Sequence, residues 1–437
     1  MEANTGVLIA GAAPPSVHDR TSHRLAGWSS MVGTTIEWYD FFLYGTAAAL
    51  IFNKVFFPSL DAMTGTIASF STFAIGFVSR PLGGMVCGHF GDKLGRKSML
   101  LATIFMMGIP STLIGLIPSY DSIGYWAAVL LVIMRFIQGL AVGGEWGGAV
   151  LMAVEHAPEG KKGLYGSLPQ MGVGGGLVMS SLMMALVSKL PEEALFSWGW
   201  RIPFLLSIVL LGVGVFIRLK VPESPEFEKM KEEGHEVKAP ILVVIREHWD
   251  GILKIVGARV VENTWFYVVV TFSLAYAVNQ LNLPRAELLS AITVGAALTL
   301  VTMPFFGWLS DKIGARFQFG IGVVIVAMYA TPFFTMLATK DITMAWWAIV
   351  IGLAGVFPIL YAPESILFCN QFPSEVRYSG ISVSAQVAGL FGGGLAPIAA
   401  TWLLAQNGGD PRLVIYYLVA LSVLALVCTV LMRKEAP

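Results

Sequence analysis

Long apolar runs, separated by short polar stretches, repeat along the whole chain. About 20 apolar residues make a helix long enough to cross ~30 Å of hydrocarbon. Such runs fall at 26–52, 63–90, 98–118, 124–155, 163–188, 200–219, 252–278, 286–309, 317–338, 343–369, 378–405 and 411–432. They predict twelve membrane-spanning helices and an all-α integral membrane protein. An even number puts both chain ends on one side. The stretch from Val221 to Asp250 differs, since it is mixed in charge and poor in apolar residues. It predicts a partly helical linker between two six-helix halves.

Composition supports the pattern. Charged residues are 13% of the 437, against about 25% in a soluble domain, and mean hydropathy is +0.72. The balance of 28 basic against 28 acidic residues leaves no nucleic-acid footprint. The basic residues are unevenly spread. With both ends cytoplasmic, 19 of the 28 fall on cytoplasmic segments, six on outer ones, and Arg80, Arg135 and Arg259 lie inside predicted helices. Cytoplasmic segments collect Lys and Arg, which predicts that orientation. The expected organisation is a cytoplasmic tail (1–24), a bundle (25–220), a cytoplasmic linker (221–250), a second bundle (251–432) and a cytoplasmic tail (433–437).

Residue types with special chemistry add little. Met1 to Arg24 shows no basic stretch followed by an apolar core, so no cleaved signal peptide is expected. Cys87, Cys369 and Cys428 lie far apart and read as free thiols. No histidine pair has ligand spacing and no GxxxxGK[ST] loop occurs, so neither metal nor cofactor nor ATP drive is expected. An enzyme would need a catalytic constellation, and none is found. Trp198, Trp200, Trp346 and Trp347 fall near helix ends, where tryptophan marks the membrane interface.

The two halves repeat one another. Gly88-His-Phe-Gly-Asp92-Lys-Leu-Gly95-Arg-Lys97 follows the second run, and Gly307-Trp-Leu-Ser-Asp311-Lys-Ile-Gly314-Ala-Arg316 follows the eighth. Asp92 and Asp311 are 219 residues apart, half the chain. Both copies fall on the linker side, which predicts parallel repeats about an axis along the membrane normal. In each loop a carboxylate can accept hydrogen bonds at a helix N-terminus, and Asp92 can pair with Arg96.

Charges inside helices are the sharpest functional signal, because one isolated charge there costs ~3 kcal/mol or more. At 1.5 Å per residue, Glu37, Asp40, Arg80 and Arg135 all fall about 15–21 Å from a helix end, near the midplane. Arg80, Arg135 and Arg259 nearly balance Glu37, Asp40, Glu145, Glu262 and Glu364. An arginine-paired carboxylate stays ionised, and one that loses its arginine to a competing anion takes up a proton. Asp40 with Arg135 is the expected pair. Glu37, one turn away, is the alternative proton carrier. Arg135, Gln138 and Glu145 share a face of helix four, Tyr44 sits beside the helix-one carboxylates, and helix seven offers Arg259, Glu262 and Asn263. Arg259 and Glu262 either neutralise each other or contact a solute. Gln170 and Gln386, at matching places in the two halves, either bind solute or tie helices together.

These strings carry a resemblance. The loop GHFGDKLGRK and Arg135-Phe-Ile-Gln138-Gly139 resemble the signatures of the major facilitator superfamily. Glu37-Trp-Tyr-Asp40-Phe, Arg80-Pro-Leu-Gly-Gly, Gly143-Gly-Glu145-Trp-Gly-Gly, Ser197-Trp-Gly-Trp-Arg-Ile-Pro203 and Pro222-Glu-Ser-Pro are similar to its metabolite:proton symporter family. The second loop signature departs from the pattern at Ala315, where many members have arginine. The resemblance implies the major facilitator fold of two pseudo-symmetric six-helix bundles in the bacterial inner membrane. It implies a monomer taking up a small organic acid, such as shikimate or a related mono- or dicarboxylate, together with protons. Asp92, Arg96 and Glu155, with Asp311 and Arg316 in the second copy, would latch the outward-open state. The alternative solute is a zwitterionic osmolyte such as proline or betaine. Osmosensing members carry a long C-terminal coiled coil, whereas this sequence stops at Arg433-Lys-Glu-Ala-Pro437.

The orientation is testable. A cysteine introduced at Lys231 in the linker should escape an impermeant thiol reagent applied to intact cells and react after lysis. Ready labelling from outside would reverse the assignment.

Overall fold

A computed structural model of the chain describes residues 17–60, 62–234 and 237–433. Most of the expected N-terminal tail and the last four residues lie outside the described residues. Twelve long helical segments follow one another: α1 Val17–Leu50, α2 Ala62–Leu94, α3 Arg96–Leu116, α4 Trp126–Glu155, α5 Lys162–Val187, α6 Glu192–Lys220, α7 Trp249–Asn279, α8 Arg285–Ile313, α9 Ala315–Ala338, α10 Ile342–Cys369, α11 Ser374–Gln406 and α12 Arg412–Leu431. By length and composition α3 to α12 can each cross a membrane, and α1 and α2 are 34 and 33 residues long. Among the described residues there is no strand.

Each apolar run of the sequence falls on one of these helices, and the differences lie at the ends. Helix α1 starts at Val17 rather than 26, because nothing from Val17 to Ala26 is Pro or Gly and the helix continues past the apolar stretch. Helix α6 starts at Glu192 rather than 200, through a π-helical turn at Leu195–Gly199. That turn carries Trp200 inward. Its indole is fully buried against Phe52, Phe56 and Phe204, with ring centroids 5.7–6.0 Å apart. Trp200 is therefore a core residue and not an interface marker, whereas Trp198 and Trp347 are each half exposed. Cys87 and Cys369 are buried free thiols, and Cys428 is half-buried.

Small residues set the helix spacing, as expected where helices meet in lipid. A Cβ on Gly143 of α4 would fall 2.2 Å from the Arg80 carbonyl oxygen of α2, and one on Gly83 would fall 2.0 Å from the Leu140 carbonyl oxygen. Helices α1 and α5 pack the same way through Gly172 and Gly176. The two largest crossings between α1–α6 and α7–α12 set α2 on α11 and α5 on α8, with α10 also against α5 and α11 against α4. The repeat exchanges these crossings with each other. Their closest approaches run from the linker face to mid-helix, at Gly88 on Ser379, Gly84 on Gln386, Gly163 on Ser310 and Gly174 on Ala296. The halves are thus shut together on the linker face. The linker adds two short helices, Pro225–Glu232 and Pro240–Glu247. Ser224 caps the first, its Oγ accepting from Phe227 N at 3.2 Å.

Gly143→Val would force α4 off α2 and should cost about 1–3 kcal/mol or more. We expect a lowered melting temperature and a broadened elution profile in detergent. Gly212→Ala, where an added Cβ meets nothing within 4 Å, should leave both unchanged. Equal behaviour of the two variants would refute this packing.

Candidate functional site

A small cavity lies between the halves at mid-helix. Its two lobes, about 40 and 30 Å³, share Trp38, Arg259, Asn263, Tyr267 and Tyr361 as walls. Glu37, Arg80, Trp146 and Gln386 complete the first lobe, and Glu262 joins the second. Both lobes are far below the ~300 Å³ usual for small-molecule sites, so a solute can enter only as the walls part.

Each arginine is held by rings. Arg259 lies over the Trp146 face at 3.8 Å, a desolvated cation–π contact across the two halves. Its Nη1 is 3.3 Å from Glu364 Oε2, and its Nε is 3.9 Å from Glu262 Oε2. Asn263 Nδ2 donates to Glu262 Oε2 at 2.9 Å. Arg259 and Glu262 therefore do partly neutralise each other, with Glu364 as the closer partner. Arg80 lies over Phe77 and Phe41 at 4.3 and 4.6 Å, and it forms no ion pair among the described residues. Glu37 and Tyr267 line the same lobe of the cavity as Arg80.

The expected Asp40–Arg135 ion pair does not form. Asp40 turns to α6, where Ser207 Oγ donates to its Oδ1 at 2.6 Å. Arg135 is enclosed by Tyr44, Phe73 and Phe41, at 4.4, 4.7 and 5.2 Å. Gly76 makes room for it, since a Cβ there would fall 2.7 Å from Arg135 Nε. Arg135 Nη1 donates instead to Gln138 Oε1 at 3.3 Å, and Gln138 Nε2 donates to Ser111 Oγ at 2.6 Å. The aromatic cage takes up the charge that the sequence pattern assigns to a carboxylate. Arg135, Gln138 and Tyr44 thus sit inside the first half and do not line the cavity. Glu145 also lies off it, paired with Arg218 of α6. Gln170 Nε2 donates to Ser365 Oγ across the halves at 3.0 Å, and Gln386 Nε2 donates to the Gly143 carbonyl oxygen at 3.2 Å.

The linker face carries the repeated loop carboxylates. Asp92 accepts from Tyr378 N (3.2 Å), Ser379 N (2.9 Å) and Ser379 Oγ (2.7 Å), in the first α-helical turn of α11, which begins at Arg377 after a 3-10 turn. Asp311 accepts from Gly163 N (2.6 Å) and Leu164 N (2.9 Å), in the first turn of α5. Each aspartate caps a helix of the opposite half, where the exposed amides and the dipole favour an anion. Arg96 joins the first set, 3.7 Å from Asp92 and 3.5 Å from Glu155, and donates to the Ser374 carbonyl oxygen at 3.0 Å. Glu155 also faces Arg377 at 3.4 Å and accepts from Ser224 Oγ. Arg316 donates to the Val430 carbonyl oxygen, tying α9 to α12 within the second half.

The profile of the Sugar (and other) transporter family matches residues 28–245. The Escherichia coli K12 shikimate transporter is 41% identical over 94% of this chain and 95% of its own length. The inner membrane metabolite transport protein YhjE of the same strain is 38% identical over 92% of each chain. Among solved structures, the proton:xylose symporter XylE, a major facilitator superfamily protein, superposes with a TM-score of 0.76, at 15% identity and covering 94% and 95% of the two chains. The chain belongs to the major facilitator superfamily. It is a multi-pass membrane transporter of small molecules and not an enzyme.

Sequence reasoning missed several partners on this linker face. Glu223 accepts from Arg96 N at 3.0 Å and Lys97 N at 3.1 Å, so the linker caps α3. Glu226 pairs with Arg377. The matching spacing of Pro158 to Lys162 and Pro373 to Arg377 marks Arg377 in the sequence, and Glu223 lies in the Pro222-Glu-Ser-Pro string, while Glu226 lacks any such signal. Asp92→Asn removes the charge from three hydrogen bonds, and bonds to charged groups are worth about 1.5–3 kcal/mol. Faster hydrogen–deuterium exchange at residues 377–384 and slower transport should follow, with solute affinity nearly unchanged. Loss of binding by a folded Asp92→Asn protein would overturn the latch.

Proposed function

We propose that this chain takes up a small organic acid, of the shikimate or related mono- or dicarboxylate class, together with protons by alternating access. The carrying observation is the charge of the cavity region. Arg80 and Arg259 stand against three carboxylates, Glu37, Glu262 and Glu364. With every group ionised the set is one negative charge in excess, so a further anion is accommodated only if a proton comes with it. The rings of Trp38, Trp146, Tyr267 and Tyr361 add apolar faces for a cyclic acid. The 41% identity to a shikimate transporter supports that solute class.

In this reading Arg80, Arg259, Glu262, Asn263 and Gln386 contact the solute, and Arg135, Gln138 and Tyr44 brace α1 from inside the first half. Asp92, Arg96, Glu155, Asp311 and Arg316 work the gate. The linker face and both chain ends are cytoplasmic, the membrane is the bacterial inner membrane, and one chain suffices. Glu37 is the first choice for the coupling carboxylate, ahead of Asp40. It lines the cavity, whereas Asp40 does not.

Uptake into proteoliposomes with an alkaline interior tests this. Radiolabelled shikimate or a competing carboxylate should accumulate, a protonophore should abolish the accumulation, and betaine should not compete. Arg259→Ala should lose binding. Glu37→Gln should lose gradient-driven accumulation while keeping counterflow exchange, and Asp40→Asn should be the milder variant. Uptake indifferent to the pH gradient would sink the symport reading. Competition by betaine would favour an osmolyte carrier.

A further inference from the structure

Behind the cavity, the first half buries a second charge pair. Arg218 lies two residues before the linker-face end of α6, yet its side chain is 4% exposed and turns into the bundle. It grips Glu145 of α4 with both terminal nitrogens, Nη1 to Oε2 at 3.1 Å and Nη2 to Oε1, and Nη1 also donates to the Leu100 carbonyl oxygen of α3. Thr103 Oγ1 donates to Glu145 Oε2 at 2.6 Å. The guanidinium lies across Gly33 of α1, where a Cβ would fall 2.0 Å from Nη2. No side chain larger than hydrogen is compatible with that placement.

Gly33 lies one helical turn before Glu37. A void of about 10 Å³ lies between Glu37 and the pair, with Glu37, Glu145 and Thr103 among its walls. That is about the space one water requires, and these groups offer it polar partners. Glu37 lines the central cavity as well. It stands in the wall between the solute's space and a small, largely apolar void enclosed by α1, α3 and α4, into which Glu37, Thr103 and Glu145 bring the polar atoms. Helices α7–α12 contribute nothing to that void, so opening and closing of the halves does not interrupt it.

We propose that Glu145 and Arg218 form a proton way-station behind the solute site. Glu37 hands its proton through one water to Glu145, on a path inside the first half that the solute does not take. This inference rests on the proton-coupled reading above. The step balances without a co-reactant. The O–H bond of the Glu37 acid breaks as its proton joins the water, and one of the water's own protons forms the new O–H bond on Glu145. Glu37 is left as a carboxylate near Arg80, and Arg218 stays cationic throughout. The other titratable groups around Glu145 are Cys87 of α2 and Tyr378 of α11. The Tyr378 hydroxyl is engaged, donating to the Gly144 carbonyl oxygen at 2.9 Å.

The test uses the reconstituted full-length protein. Glu145→Gln should keep counterflow and solute affinity near wild type, while accumulation driven by a pH gradient falls about tenfold or more, as when a positioned proton-transfer group is lost. That variant leaves Arg218 buried and unpaired, which destabilises. Glu145→Gln combined with Arg218→Met removes both charges. If the pair merely orients helices, the double variant regains accumulation. If it carries protons, the double variant folds and exchanges solute yet does not accumulate it. Undiminished accumulation in the single variant, or recovery in the double, overturns the proposal. Wild-type uptake without any pH dependence would instead defeat the symport reading itself, and the two failures are distinct.

Discussion

A carboxylate of one half aimed at the backbone amides of the other, used twice, is the contact on which the closed face depends. Asp92 serves the start of α11 and Asp311 the start of α5. Helix ends leave several amides without partners, and here those amides belong to the helices that cross between the halves. Closure therefore satisfies groups that opening returns to water. The two states differ by the balance of protein and solvent hydrogen bonds, which is a small net energy. That smallness lets a bound solute tip the equilibrium. Arg96, Glu155, Arg377 and the linker glutamates weight the Asp92 side further.

The buried charges obey a division of labour. Pairs held inside one half, such as Glu145 with Arg218, keep their partners whatever the halves do. Arg259 is different. Its carboxylates come from its own half, while the Trp146 ring beneath it comes from the other. Moving the halves apart strips the ring from the cation and leaves the carboxylates in place. A solute that replaces the lost contact would be bound where the conformational change is felt. At Arg80 and Arg135 aromatic faces stand where no ion pair forms among the described residues, and each ring contact offsets part of the cost of burying the guanidinium.

Much of the architecture was legible because apolar length and the repeated Asp92 and Asp311 loops are one-dimensional signals. The twelve helices and their division in two needed nothing else. The partners of the intramembrane charges were less legible. Helical spacing identifies Asp40 and Arg135 as midplane residues, but which way each turns depends on Gly76, Ser207 and the rings around Tyr44, which come from other helices. Arg218 escaped notice for a related reason. It sits where a positive-inside count places it in water, and the missing side chain at Gly33 lets it reach inward. Trp200 shows the same limit, since one π-helical turn exchanged an interface position for the core.

The crossings of α2 with α11 and of α5 with α8 meet largely through glycine and serine, main chain nearly on main chain. Such a seam has few teeth. Side chains that interlock must disengage before helices part, whereas smooth surfaces can roll or tilt over one another with contact retained along a moving line. The seam also acts as a doorstop, because its depth is set by bare backbone. One added methyl group at Gly88 would hold the linker face ajar without touching a charged residue, and a carrier so wedged would spend its time facing the wrong way.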